Sequence, residues 1–225
     1  MANYAIDPAL LKKYVPAHTE LDEFNGVHYA SLVGFLFQDT RVRGIAFPFH
    51  RSFEEVNLRF YVRYKEGAAW KRGVVFMKEI VPRRLISFVA NTVYGENYAT
   101  HAMRHEWKMA GDELQVAYYW KAGRHWNYLK ATAAAEPQAI VPGSAEAFIT
   151  EHYWGYTFVN PACTGVYQVR HPRWRVHPVH HYAIECSAGE LYGPGFAGPL
   201  RQQPVSVFVA EGSPVEVMPG GRLYS

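Results

Sequence analysis

The chain has 225 residues, of which 49% are hydrophobic and 19% charged, and its formal net charge is only +3. A chain of this length and composition fits one domain with a sizeable core, here residues 1–225, and its scattered basic residues give no nucleic-acid footprint. No apolar run approaches the ~20 residues of a membrane helix, and the first residues lack a signal-peptide pattern, so we expect a cytoplasmic protein with no membrane partner.

The first elements are marked by their flanking residues. Asp7 and Pro8 predict the start of a short helix, because aspartate caps helices and proline suits the first turn, and Pro16 ends it. The segment 27–38, VHYASLVGFLFQ, is apolar on both faces, which predicts a strand near the middle of a sheet. Residues 39–52 are predicted to be irregular.

The segment 56–64, VNLRFYVRY, alternates between apolar and polar residues and predicts a strand with two different faces. The apolar face carries Leu58, Phe60 and Val62. The polar face carries Asn57, Arg59, Tyr61 and Arg63. In an ordinary sheet the polar face meets solvent, whereas in a barrel it lines a polar cavity. Glu54 and Glu55 precede this segment and are expected to be exposed loop acids.

Gly67 predicts a turn, after which the segment 72–81, RGVVFMKEIV, pairs back as a hairpin. Lys78 and Glu79 are adjacent ionisable residues inside this apolar run, where a charge is costly unless it is paired or used. Strict alternation places Val74, Phe76, Lys78 and Ile80 on one face, and Val75, Met77 and Glu79 on the other. Pro82 then predicts the start of a helix over residues 85–93.

The second half of the chain is predicted to be mostly strand. Segments 100–109, 113–122 and 126–132 form a three-strand meander with turns at Gly-Asp and Gly-Arg, and Ser144 caps a helix that reaches Tyr153. Strands broken by Pro and Gly follow as far as residue 211. The fold class predicted from these elements is mainly β (α+β), with mostly antiparallel strands and about three short helices.

Several long motifs resemble those of a known family. They are LDEFNG at 21–26, SLVGFLF at 31–37, FEEVNLRFYVR at 53–63, RGVVFMKEIVPRR at 72–84, YGENY at 94–98, HPRW at 171–174 and PVSVFVAEGSPVEV at 204–217. Together they resemble the YqjF-like bacterial family, domain of unknown function 2071, over nearly the whole chain. That family is placed in the acetoacetate decarboxylase-like superfamily. The resemblance therefore implies a closed, cone-shaped antiparallel barrel within a larger bent sheet, and a cavity inside the barrel.

The resemblance also implies where a catalytic lysine would lie. The decarboxylases carry a pattern like Gly-Phe-Pro-Lys-Lys, whose first lysine forms a Schiff base with the substrate. Placed on this chain, the glycine falls on Gly95 and the two lysines fall on Tyr98 and Ala99. A tyrosine cannot form an imine, so the resemblance implies the fold without the decarboxylase nucleophile.

Two groups on the central hairpin are candidates for chemistry. Lys78 is a candidate relocated amine nucleophile with its charge set by Glu79 or Glu96, and the alternative is that Lys78 and Glu79 face opposite sides of the strand as paired or solvated residues. Arg59 and Glu79 are a second candidate, in which both line the cavity and the guanidinium binds Glu79 or an acidic ligand. The alternative there is a buried structural ion pair.

Polar residues after the predicted helix form a third candidate. Asn97, Tyr98 and His101 are placed to bind a small molecule or to move a proton near neutral pH, although His101 and His105 also fit outward-facing strand positions. The four histidines of HPRWRVHPVHH, at 171, 177, 180 and 181, do not match a recognised metal-ligand spacing. Cys163 and Cys186 are predicted to be reduced thiols. We therefore predict no metal and no cofactor, and interpret HPRW as a loop that Trp174 anchors before a strand.

Two functional hypotheses follow from these residues. In the first, the protein binds a small metabolite, anionic or aromatic, in the barrel cavity, at residues Arg59, Tyr61, Glu79, Asn97, Tyr98 and His101, without covalent chemistry. In the second, it is a lyase-type enzyme, related to decarboxylases, aldolases or dehydratases, that uses Lys78, or Glu79 with Tyr98 and His101. A homo-oligomer is a further expectation, because barrels of this kind leave sheet edges outside their closed part.

Overall fold

A computed structural model describes residues 1–38, 52–83 and 97–224 of the chain. The secondary structure is mainly β, as predicted, with three short α-helices among the described residues: α1 Pro8–Leu11, α2 Ala145–Thr150 and α3 Ala188–Tyr192. The strands are β1 Ala2–Ala5, β2 Glu20–Leu21, β3 Tyr29–Phe37, β4 Phe53–Glu66, β5 Ala69–Val81, β6 Tyr98–Thr100, β7 Met103–Ala110, β8 Glu113–Ala122, β9 His125–Ala134, β10 Gln138–Ala139, β11 Trp154–Asn160, β12 Cys163–Arg170, β13 Arg175–Glu185, β14 Ser206–Ala210, β15 Glu216–Val217 and β16 Gly221–Tyr224.

Both predicted N-caps are present. The Asp7 carboxylate accepts a hydrogen bond from the Ala9 backbone N–H at 2.8 Å, and the Ser144 hydroxyl accepts one from Ala147 N–H at 3.2 Å. The helix predicted over residues 85–93 lies outside the described residues. Helix α3 was not predicted, because AGELY offers only five residues and little apolar periodicity.

The strands pair into one large mixed sheet in the order β15-β12-β11-β5-β4-β3-β1-β14-β13-β9-β8-β7. The predicted hairpin is β4 and β5, and the predicted meander is β7, β8 and β9, all antiparallel. Strand β5 also pairs in parallel with β6 and β11, so the sheet is not purely antiparallel. Among the described strands no pairing joins β15 to β7.

The parallel pair of β5 and β11 depends on a glycine. A Cβ atom added to Gly73 would lie 2.4 Å from the Trp154 carbonyl oxygen, closer than van der Waals contact allows. Glycine therefore permits this close approach of the two backbones.

The core lies on both sides of β4. One face of the strand, with Leu58, Phe60 and Val62 at 0% exposure, joins the larger core cluster together with Trp120. The other face places Tyr61 in a second, smaller cluster around α2. On the polar face of β4, Asn57 and Tyr61 are buried, and Arg59 and Arg63 are half-buried, so this face is not the solvent-exposed face of an ordinary sheet.

The predicted alternation of β5 is wrong over its first half. Leu58 of β4 pairs with Lys78, but Arg59 pairs with Phe76, so Met77 is the extra residue of a β-bulge. The bulge shifts every earlier residue by one position. As a result Val75 and Met77 pack in the larger cluster, whereas Val74 and Phe76 pack in or against the smaller one.

No helix among residues 1–38, 52–83 and 97–224 is long and apolar enough to cross a membrane.

Candidate functional site

Three polar side chains form a row across strands β4, β5 and β6. Glu79 of β5 is in register with Asn57 on the antiparallel side and with Tyr98 on the parallel side. Partners in register point to the same face of a sheet, so the three side chains lie side by side. Glu55, two residues before Asn57, joins them on that face. We call Glu55, Asn57, Glu79 and Tyr98 the acid cluster.

Glu55 is the centre of the acid cluster, and the expectation that it is an exposed loop acid is wrong. Strand β4 begins at Phe53, earlier than its alternation indicated, and only 1% of Glu55 is exposed. Its carboxylate accepts hydrogen bonds from Asn57 Nδ2 at 3.0 Å and from the Tyr98 hydroxyl at 3.0 Å. Glu54, the other expected loop acid, is half-buried and lies 2.7 Å from His105 Nδ1.

Burial changes the acidity of the central carboxyl group of the acid cluster. Glu55 hydrogen-bonds Glu79, and burial raises the pKa of Glu55 from 4.5 to about 7. The bonds from Asn57 and Tyr98 and the charge of Arg59 lower this pKa but do not offset burial. Burial and the two carboxylates raise the pKa of Tyr98 well above its usual range, so its hydroxyl stays a donor.

Arg59 stands beside the acid cluster on the same strand. Its Nη2 donates to the Ile149 carbonyl oxygen at 3.4 Å, but its buried Nε has no hydrogen-bond partner among the described residues. The buried Oδ1 of Asn57 also has no partner among them. A buried polar atom left without a partner costs about 1–3 kcal/mol. A further hydrogen-bonding group next to these two atoms would therefore be stabilising.

A buried ion network supports the Arg59 side of the site. Asp22 Oδ2 lies 3.2 Å from His152 Nε2 and 3.2 Å from Arg72 Nε. The His152 ring packs against Tyr61 with 4.7 Å between ring centroids. His152 follows α2, whose Ile149 carbonyl accepts a hydrogen bond from Arg59, so the network lies at the end of the helix that carries this acceptor. No local sequence signal marks Asp22, which lies in a polar segment.

The family of the protein can be stated from comparisons with known proteins. A family model described as an uncharacterized conserved protein, DUF2071, matches residues 1–214. The chain belongs to the DUF2071 family. It is 30% identical over 161 residues to the uncharacterized protein YqjF of Bacillus subtilis (strain 168), a match that covers 69% of this chain and 63% of YqjF. The DUF2071 chain therefore spans less than two thirds of that relative's length.

Solved structures show the fold of this DUF2071 protein. The enduracididine biosynthesis enzyme MppR with HEPES buffer bound matches 99% of this chain and 84% of its own, with a TM-score of 0.65 at 12% identity. The match to MppR complexed with pyruvate covers 96% of this chain and 86% of the MppR chain, with a TM-score of 0.61 at 12% identity. The match to acetoacetate decarboxylase from Legionella pneumophila covers 85% of this chain and 74% of the decarboxylase chain, with a TM-score of 0.53 at 15% identity. The expected acetoacetate decarboxylase-like fold is confirmed.

The remaining predicted site residues of the DUF2071 protein fall in different places. Tyr61 is 1% exposed, and its hydroxyl lies 2.6 Å from Ser31 Oγ, which orients it within the core. Lys78 lies on the face of β5 opposite Glu79 and donates to the Leu191 carbonyl oxygen. His101 Nδ1 lies 2.6 Å from the Lys121 carbonyl oxygen. The structure does not bring Lys78 or His101 to the acid cluster.

Asn97 supports the acid cluster through the backbone of β5. Its Nδ2 donates to the Met77 carbonyl oxygen at 2.8 Å, and its own carbonyl accepts from Glu79 N–H at 3.0 Å. These bonds hold β6 next to β5 at the bulge and so set the position of Tyr98. Gly95 and Glu96 lie outside the described residues.

The histidine-rich segment borders a separate groove. HPRW is a loop before β13, as predicted, and Trp174 Nε1 donates to Ser213 Oγ at 2.8 Å. The His171 ring stacks on Trp174, with 4.2 Å between ring centroids, and contacts the tilted ring of Tyr153 at 4.9 Å. The groove has a volume of about 320 Å³, and Glu151 and Arg173 in its wall form an ion pair at 3.1 Å. Within the described residues no group of three or more His, Cys, Asp or Glu is arranged to hold a metal ion.

Proposed function

We propose that this DUF2071 protein binds a small carboxylate-bearing metabolite, such as a 2-oxo or 2-hydroxy acid, between Arg59 and the acid cluster. The observation that carries the proposal is the pair of unpartnered buried atoms, Arg59 Nε and Asn57 Oδ1, beside the buried Glu55 carboxyl group. A ligand carboxylate would accept from Arg59, and a ligand hydroxyl or enol would donate to Asn57. The raised pKa of Glu55 favours its neutral form, which reduces the negative charge that an anionic ligand meets.

The chemistry named for a structural neighbour supports this ligand class. One structure of MppR is described as complexed with pyruvate, which is a small 2-oxo acid. The two proteins share a fold at 12% identity, so the neighbour suggests which ligands to try first. Lys78 has no part in the proposal, because it lies on the opposite face of β5.

Replacing Arg59 by Gln is expected to weaken pyruvate and lactate binding at least tenfold, a loss of about 1.4 kcal/mol, because the charge-assisted bond to the ligand carboxylate is lost. Isothermal titration calorimetry on wild type and R59Q measures this. Arg124 lies in the exposed turn between β8 and β9, so R124Q is the matched control and is expected to bind like wild type. Equal affinities of R59Q and wild type, or no binding of any small carboxylate to wild type, would refute the proposal.

A second candidate function is proton transfer at carbon. The pKa of about 7 given to Glu55 by burial is near the value that suits a general base at neutral pH. The ionised Glu55 carboxylate would take a proton from the pyruvate methyl group, leaving an enolate. In D₂O, the carboxyl group formed on Glu55 would exchange its proton with the solvent and return a deuteron to the same carbon. The net change is one hydrogen of pyruvate replaced by one deuterium.

In D₂O, wild type is expected to exchange the methyl hydrogens of pyruvate faster than buffer alone, with a rate that rises as pH passes about 7 because the base form of Glu55 is required. Proton NMR of the methyl signal follows this exchange. E55Q is expected to lose the catalysed rate while still binding pyruvate in calorimetry. If E55Q still exchanges the methyl hydrogens, the base is another residue. If wild type binds pyruvate without exchanging them, binding is the function.

A further inference from the structure

The edge strand β7, Met103–Ala110, has features of a self-pairing surface. It is the last strand of the sheet order and pairs only with β8 among the described strands. Two large apolar side chains on it stay exposed, Trp107 at 47% and Met109 at 58%. Exposed strand edges with apolar side chains are templates for pairing with another chain, and proteins usually protect them with charges.

The hydrogen-bonding groups on the open side of β7 can be assigned. The Lys121 N–H of β8 donates to the Ala102 carbonyl oxygen, and the register from there to Ala110 has no bulge. In an antiparallel pair, hydrogen-bonded positions alternate with positions whose N–H and C=O point away. The even-numbered residues of β7 therefore bond to β8. The N–H and C=O groups of residues 103, 105, 107 and 109 point outward.

The charges of β7 fit a second copy of the same strand in only some registers. Exposed residues of alternating sign, Arg104, Glu106 and Lys108, follow one face of the strand. Antiparallel pairing centred on Glu106 places Glu106 opposite Glu106 of the second copy, and Arg104 opposite Lys108. Both pairs carry like charges and repel each other. Pairing centred on Trp107 sets Glu106 against Lys108 twice. That register also places Trp107 against Trp107 and Met109 against His105 on the other face.

We propose that the protein forms a two-fold dimer in which β7 pairs antiparallel with β7 of a second copy, centred on Trp107. Residue 107 then faces residue 107 of the second copy, and residue 105 of each copy faces residue 109 of the other. These three pairs all have outward N–H and C=O groups, and each pair exchanges two hydrogen bonds, which gives about six backbone hydrogen bonds. The two sheets become one continuous sheet. Trp107 and Met109 are shielded at the centre, and two Glu106–Lys108 pairs fix the register.

The test is a charge exchange across the proposed two-fold axis. Wild type is expected to sediment at twice the 25.7 kDa of one chain in analytical ultracentrifugation. In K108E, the introduced glutamate of each copy faces Glu106 of the other copy, so both charge pairs become repulsive. K108E is therefore expected to be monomeric. The double variant E106K/K108E restores two opposite-charge pairs and is expected to be dimeric. Both substituted positions are exposed, so circular dichroism and unfolding temperature are expected to be unchanged.

Each other pattern counts against the proposal. A monomeric wild type at high micromolar concentration would exclude the dimer. A K108E variant that remains dimeric would place the interface elsewhere on the surface. A double variant that is monomeric would exclude this register, because the restored pairs have the same geometry with their signs exchanged. The variant R104E is a further check, since Arg104 faces Ala110 in this register and its reversal is expected to leave the dimer intact.

Discussion

E55Q is expected to be more stable than wild type at pH 8, by about 3 kcal/mol, and to match wild type within about 1 kcal/mol at pH 5. The pKa of Glu55 is about 7 in the folded chain, against an ordinary value of 4.5, because the folded protein buries the carboxyl group. A carboxyl group with a raised pKa contributes its stability below the unfolded value and loses that contribution as pH rises through the folded value. Wild type therefore loses stability between pH 4.5 and about pH 7, and a neutral glutamine does not.

Urea unfolding of wild type and E55Q at pH 5, 6, 7 and 8 measures the difference. The glutamine side chain in E55Q keeps an oxygen that accepts from Asn57 Nδ2, so the bonds with Tyr98 and Glu79 are the ones that the change alters. E66Q is the matched control on the same strand. Glu66 is exposed and pairs with Lys71 at 2.6 Å, so the control is expected to change stability by less than about 1 kcal/mol at every pH. Parallel stability curves for wild type and E55Q would show that Glu55 is not the group that titrates.

A gain in stability on removing Glu55 has a functional meaning. Proteins retain a destabilising buried ionisable group chiefly where it serves binding or catalysis, because most other residues at such a position would fold better. A stabilised E55Q that still binds pyruvate, but no longer exchanges its methyl hydrogens, would separate the roles of the acid cluster and Arg59. The stability measurement tests the burial argument alone, whether or not any ligand binds.

The hairpin β4–β5 shows what sequence reasoning can and cannot find. Alternation correctly placed Arg59 and Tyr61 on a polar face, because β4 alternates strictly between residues 56 and 64. It could not reveal the bulge at Met77, because the residues from 74 to 77 are all apolar and fit either face. It also missed Glu55, since the charged pair at 54–55 resembles a loop although the strand already begins at Phe53.

The ion network around Asp22, which lies next to the site, was less predictable from the sequence than the site residues themselves. The groups that contact Asp22 come from Arg63, Arg72 and His152, which are 41, 50 and 130 residues away in the chain. No local period or motif connects positions so far apart, and only the pairing of strands brings them together. The resemblance of LDEFNG at 21–26 to a family motif marked this region but not its role.

D22A is expected to destabilise the protein by about 3–5 kcal/mol, because it breaks a buried charge network and leaves partners without an acceptor. The Asp22 side chain is 0% exposed and His152 is 1% exposed, so water cannot replace the lost carboxylate at the imidazole. The Glu23 N–H also loses its 3.0 Å bond to Oδ1. Arg72, at 45% exposure, can turn to solvent and contributes less to the loss.

D22N separates charge from shape in this network. Asparagine keeps one acceptor oxygen and the side-chain volume, so D22N is expected to cost about 1–2 kcal/mol. Burial raises the pKa of Asp22, but the His152 bond and the charges of His152 and Arg72 outweigh it and hold the pKa below 3.8. The stability from this carboxylate is therefore present above pH 3.8 and lost as pH falls below it. Wild type is expected to lose this stability in acid, whereas D22N is not, and urea unfolding between about pH 3 and pH 7 compares them.

The same variants connect the network to the site. Asp22 holds His152, and His152 follows the helix whose Ile149 carbonyl accepts from Arg59 at 3.4 Å. D22N is therefore expected to weaken pyruvate binding severalfold at a pH where the protein is fully folded, by less than the loss expected of R59Q. E20Q changes an exposed carboxylate that pairs with Arg63 at the surface, and is expected to leave both stability and binding unchanged. Full affinity in D22N would mean that Arg59 is positioned by β4 alone, and the network would then serve folding only.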